Sequence, residues 1–193
     1  MRFTILTIIF LLAGCSLFAT ETNVIIRVKA KDAKFIGSSI GGALVIVRDK
    51  MTGEIMSQGK TEGSTGNTGL IMRTPVERGM RLSDENTSKF LATVDIDDPT
   101  FVIIEVYSPV NKKQATAHAS TELWLIPGKD ILGDGIVIEI PGFIVDILEP
   151  RTHQYLSLPA PDKPLKISAN IVMMCGCTIS KNGLWDSEKM EVM

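Results

Sequence analysis

Apolar residues in this chain recur at every second position, and that period constrains the fold more than any other feature. Val24, Ile26, Val28 and Ala30 alternate with Ile25, Arg27, Lys29 and Lys31. Val102, Ile104 and Val106 share one face of a second run, and Ala115, Ala117, Ala119, Thr121, Leu123 and Leu125 one face of a third. Ile136, Ile138 and Ile140 do so in a fourth. A fifth run puts Leu165, Ile167, Ala169, Ile171, Met173, Cys175, Cys177 and Ile179 on one side, with Met174 on the other. Successive side chains of a strand point to opposite faces, so this pattern specifies half-buried strands of an antiparallel sheet. Shorter β-rich runs fall at 43–48, 55–58, 70–74, 89–96 and 143–148. Turn chemistry separates them at Met51-Thr52-Gly53, Asp97-Asp98-Pro99, Pro127-Gly128, Gly133-Asp134-Gly135 and Pro141-Gly142. No long amphipathic helix is visible; Ser83 to Lys89 offers at most a turn or two. The pattern predicts an all-β chain of about eight to ten strands, an antiparallel β-sandwich of immunoglobulin-like type, with a small closed barrel as the alternative.

The first residues read differently. Behind Arg2, the stretch from Phe3 to Ala13 is apolar except for Thr4 and Thr7. That is the length of a signal-peptide core and too short to cross a bilayer as a helix. It ends in Leu12-Ala13-Gly14-Cys15: an aliphatic residue, two small ones, then cysteine. This tetrad resembles the lipobox of bacterial lipoproteins. The resemblance implies that the Cys15 thiol is diacylglycerated, that residues 1–14 are removed, and that the new amine is acylated, with palmitate as a typical chain. The alternative is an ordinary signal peptide cut later, after Ala19. Two or three acyl chains, at about 0.8 kcal/mol per buried methylene, hold a protein on a bilayer far longer than one chain does. Ser16 stands where Asp favours inner-membrane retention in Gram-negative lipoproteins, so the resemblance points to the outer membrane. The expected organisation is a signal peptide at 1–14, a lipidated tether at 15–23 and one β-sandwich domain at 24–193.

Composition narrows the partners. Loss of Arg2 with the signal leaves 19 cationic against 22 anionic side chains, a mature net charge of −3. That is no electrostatic footprint for nucleic acid, and the low aromatic content of 6% supplies few stacking platforms. The expected partners are a membrane, through the lipid, and other envelope proteins. No cofactor is expected.

With Cys15 lipidated, the three cysteines reduce to Cys175 and Cys177. In a straight strand their Cα atoms stand about 6.6–6.8 Å apart, the upper edge for a disulfide. Gly176 permits a bulge that shortens the span, so a local disulfide is the expectation. The run Met173-Met174-Cys175-Gly176-Cys177 also raises soft-metal chemistry, since thioether and thiolate ligands favour copper(I). Met173, Cys175 and Cys177 are its candidates, against their reading as ordinary core residues. Asp95, Asp97 and Asp98, and again Asp130 and Asp134, offer oxygen ligands for calcium, but neither group has EF-hand spacing and Asp equally forms turns. His118 sits on a polar face and His153 in a polar stretch, without zinc spacing. Gly63 to Gly69 lacks a P-loop lysine and reads as a flexible connection. Leu123 to Glu149 is unusually apolar: two core strands, or an exposed patch suited to a partner.

No residue set forms a catalytic constellation. The first expectation is therefore a non-enzymatic, membrane-anchored envelope lipoprotein acting as a structural or protein-binding module. The second is a copper or thiol-redox module centred on Cys175 and Cys177. The third, a hydrolase with a loop-borne site, rests only on the presence of Ser, His and Asp.

Overall fold

The alternating runs become strands wherever a turn residue lets the chain reverse. The computed structural model describes residues 19–155 and 164–191, and everything below concerns those residues. Strand β1 spans Thr20–Ala30, β2 Leu44–Asp49 and β3 Ile55–Lys60. A short helix α1, Thr68–Met72, follows. Then come β4 Phe90–Ile96, β5 Thr100–Ser108, β6 Ala117–Leu125, β7 Ile131–Ile140, β8 Phe143–Glu149 and β9 Ser168–Met173. β1 begins at Thr20, inside the stretch expected to be tether.

The strands form a three-stranded sheet, β4-β1-β7, a four-stranded sheet, β3-β2-β5-β6, and a two-stranded ribbon, β8-β9. The fold is an all-β sandwich. One buried cluster joins Val24, Ile26, Val28 and Ala30 of β1 with Val45 and Val47 of β2 and Val102, Ile104 and Val106 of β5. The period-two faces of the runs that form β1, β5, β6 and β7 are the inner faces of the sandwich. All pairings are antiparallel except β1–β7, which is parallel.

The β1–β7 pair carries an irregularity with consequences. β1 advances from Val24 to Ile26 while β7 advances from Ile131 to Ile136. The extra residues make the Gly133-Asp134-Gly135 turn a bulge within β7, not a break between strands. Gly135 has φ +67°, and a Cβ there would lie 2.1 Å from the Ile25 carbonyl oxygen, so only glycine lets β7 close on β1.

Two local expectations are corrected. The run at 70–74, expected as a strand, is mostly helix. Asn67 caps α1 by accepting a hydrogen bond from the Leu70 backbone N–H at 3.1 Å, and the cap outweighs the β propensity of Leu70 and Ile71. The Gly63–Gly69 loop, expected to be a free connection, is tied down: the Ser38 and Gly63 backbones bond at 2.9 Å, as do Ser64 and Ser88.

Candidate functional site

The long segment between β3 and β4 lies across the outward face of β1 and β7. Arg27, whose alternation places it opposite the core residues, is therefore only 1% exposed. Its guanidinium donates to the carbonyls of Thr87 and, at 2.9 Å, Ser88. Asp134, swung outward by the β7 bulge, accepts from the backbone N–H of Leu82 at 2.8 Å, from that of Ser83 at 3.1 Å, and from the Ser83 hydroxyl. Burial lowers the Arg27 pKa, with Asp134 opposing that shift. Burial alone would raise the Asp134 carboxyl, yet the Ser83 and Leu82 bonds hold it below the usual carboxylate range. This buried polar latch fastens the segment to the sheet. Sequence reasoning assigned Arg27 to a solvent face; the signal it lacked was the chain, distant in sequence, that covers that face.

On the outward face of the four-stranded sheet, His118 sits opposite Tyr107 and stacks on it at 4.6 Å. Glu105 accepts from Arg48 Nε at 2.8 Å and from the Tyr107 hydroxyl at 3.1 Å, with His118 Nε2 at 3.8 Å. The Arg48 bond lowers the Glu105 pKa; burial raises that of Tyr107. These are cross-strand pairs of a solvent-facing ladder. His153 lies in the turn after β8, with φ +63°, and shares no hydrogen bond or ion pair with His118 among the described residues. Two of the five acidic candidates have structural partners: Asp130 accepts from the Asn23 N–H at 2.8 Å, and Asp134 belongs to the latch. Among the described residues, no three His, Cys, Asp or Glu side chains gather as a metal-binding group.

Cys15 lies outside the described residues. Cys175 and Cys177 are joined in a disulfide with Cα atoms 5.4 Å apart. The strand expected to continue to Ile179 stops at Met173. The Met174 N–H turns to the Gly142 carbonyl at 2.7 Å and the Gly176 N–H to that of Met173 at 2.9 Å. Gly176 takes φ +73°, which draws the cysteines together. Because the chain turns inward here, Met174 is buried rather than outward, alongside Met173 and Cys175. In the disulfide neither sulfur is the thiolate that copper(I) prefers.

The apolar stretch 123–149 also departs from its core reading. Ile138, Ile140 and Ile144 are buried, but Trp124, Leu132, Val137, Phe143, Val145, Ile147 and Leu148 are exposed. Leu165 and Ile167, placed on a core face by alternation, are exposed as well. The reason is topological: among the described residues β8 and β9 pair only with each other and form a sheet of their own, and none of the described sheets buries the Phe143-Val145-Ile147 face. That face is 41% exposed at Phe143 and 55% at Ile147. At its root lies a depression of about 610 Å³ lined by Ile140, Phe143, Met173, Trp185 and Met190, with Lys31, Asp32 and Glu139 also contributing. On the other side, Asp146 is held by Lys112 at 2.8 Å and by Gln114, which fixes the ribbon to the β5–β6 loop.

No family model matches the chain, and no curated protein or solved structure matches it either. Among the described residues no helix is long and apolar enough to cross a membrane.

Proposed function

We propose that this chain is a non-enzymatic lipoprotein of the bacterial outer membrane that binds another envelope protein through the β8–β9 ribbon. The observation that carries the reading is the placement of the exposed apolar ribbon. β1 starts at Thr20, a few residues from Cys15, and ends at Ala30, beside Ile140 and the root of the ribbon. Eleven residues of strand put these poles about 33 Å apart. A lipid on Cys15 holds one pole at the bilayer, and the ribbon projects from the other. Phe143, Val145 and Ile147 with Ala169 and Ile171 across from them make an uncharged surface, and the ribbon offers strand edges beside it. A protein segment in extended conformation, with an apolar side chain to fill the depression by Trp185 and Met190, fits that chemistry.

The finer fold reading is immunoglobulin-like. The order β3-β2-β5-β6 facing β4-β1 supports it, as C′-C-F-G faces E-B in that scheme. β7 then takes the flank of B that strand A takes there, in the opposite direction.

A photoreactive residue at Ile147 tests the partner surface in living cells. The expected result is a discrete higher-mass adduct, absent when the same residue replaces exposed Ser120 on β6. Recovery of the monomer alone from both positions contradicts the reading.

A further inference from the structure

The Cys175–Cys177 bond is poorly placed as a staple. A disulfide stabilises largely by restricting the unfolded chain, and that restriction shrinks with the loop it closes. This loop contains Gly176 alone, so its entropic contribution is among the smallest a disulfide can make.

Its two sulfurs differ in surroundings. Cys175 is 1% exposed and belongs to the core cluster. Cys177 is half-buried and lines two open depressions. One, of about 390 Å³, is lined by Cys175 and Gly176 as well, with Lys34, Ser39, Leu184 and Trp185 around them. The other, of about 440 Å³, is bordered by Ile171, Val172 and Ile179. The turn that presents the bond cannot be rebuilt with another residue at 176: a Cβ there would lie 2.5 Å from the Ile40 side chain, and φ is positive. The bond is thus buried at Cys175, open at Cys177, and presented by a turn that requires glycine at 176.

The geometry points to Cys177 as the entry sulfur for thiol–disulfide exchange with a dithiol peptide or protein seated in these depressions. Access selects which sulfur is attacked. The first thiolate of the dithiol bonds to Cys177 Sγ, the Cys175–Cys177 bond breaks, and its electron pair goes to Cys175 Sγ. Burial disfavours that thiolate, so Cys175 takes up a proton. The second thiolate of the dithiol then attacks its partner sulfur in the mixed disulfide and releases Cys177, which is protonated in turn. Two electrons and two protons pass from the dithiol to this chain; the dithiol leaves as a disulfide. Lys34, on the wall of the first depression, supplies a positive charge that favours approach of the incoming thiolate. The second depression shares Ile171 and Val172 with β9 of the ribbon, but the exchange step needs neither the lipid anchor nor a partner on the ribbon face.

Reduced glutathione is the probe. The folded full chain is incubated with it, quenched in acid, alkylated and peptide-mapped, which separates Cys15 from the other two cysteines. The expected result is a glutathionyl group on Cys177 in excess of Cys175 by about tenfold or more, as selective access requires, while circular dichroism remains that of the folded protein. Equal labelling of the two cysteines, labelling chiefly at Cys175, or a bond that opens only after denaturant unfolds the chain overturns the proposal.

Discussion

Arg27 and Asp134 lie far apart in sequence and fasten the same segment, so each substitution has a distinct expected signature. Arg27→Ala leaves the Thr87 and Ser88 carbonyls without their buried donor and is expected to cost about 3 kcal/mol, measured by urea unfolding. Asp134 has a folded pKa below its ordinary value. Its contribution is therefore complete above the unfolded pKa, near 4, and is lost as pH falls through the lower folded value. Wild-type stability should drop below about pH 4, and Asp134→Asn should flatten that part of the profile. Glu105 and Asp146, also lowered, add to the same acid slope. Reducing the Cys175–Cys177 bond in the folded chain should cost only on the order of 1.5 kcal/mol from loop entropy, measured by urea unfolding with and without reductant. The alternation at 24–31 revealed β1 and its inward residues but made Arg27 look solvent-facing, because period two reports faces and not what distant chain lies over them. For Cys175 and Cys177 the spacing and Gly176 suggested a local bridge, whereas the buried Met174 beside them was hidden by the assumption of a continuous strand.

Among the elements, the long alternating runs and the short ones flanked by turn residues were legible: β2, β3, β4, β5, β6 and β8 lie within a residue or two of where the pattern put them, while β1 starts four residues earlier, at Thr20. The failures have local causes. Asn67 caps a helix where Leu70 and Ile71 suggested a strand, and the Gly133-Asp134-Gly135 signal marks a bulge inside β7. The ribbon was the hardest to read, because its composition is that of a core strand and only the lack of a covering sheet makes it a surface. The energetic contrast is testable. Ile104→Ala, in the middle of the buried cluster, is expected to cost about 3 kcal/mol or more. Val145→Lys combined with Ile147→Lys, on the open ribbon face, should shift stability by about 0.5 kcal/mol or less while abolishing the adduct formed from a photoreactive residue at Phe143.

At the scale of the whole molecule, the direction in which the ribbon points depends on how the chain is held. β1 runs from Thr20 to the pole that carries β8 and β9, so attachment at Cys15, as proposed, would set the ribbon away from the bilayer. Release of the chain after Ala19 would leave the same sandwich free to present any face. The orientation of the ribbon therefore depends on attachment, which the Leu12-Ala13-Gly14-Cys15 tetrad supports. Intact-mass spectrometry of the protein extracted from its native membrane tests it most directly. The expected result is a mature chain that begins at Cys15 and carries diacylglyceryl and amide-linked acyl groups. A chain that begins at Thr20, or at any other residue, with an unmodified amine would contradict it.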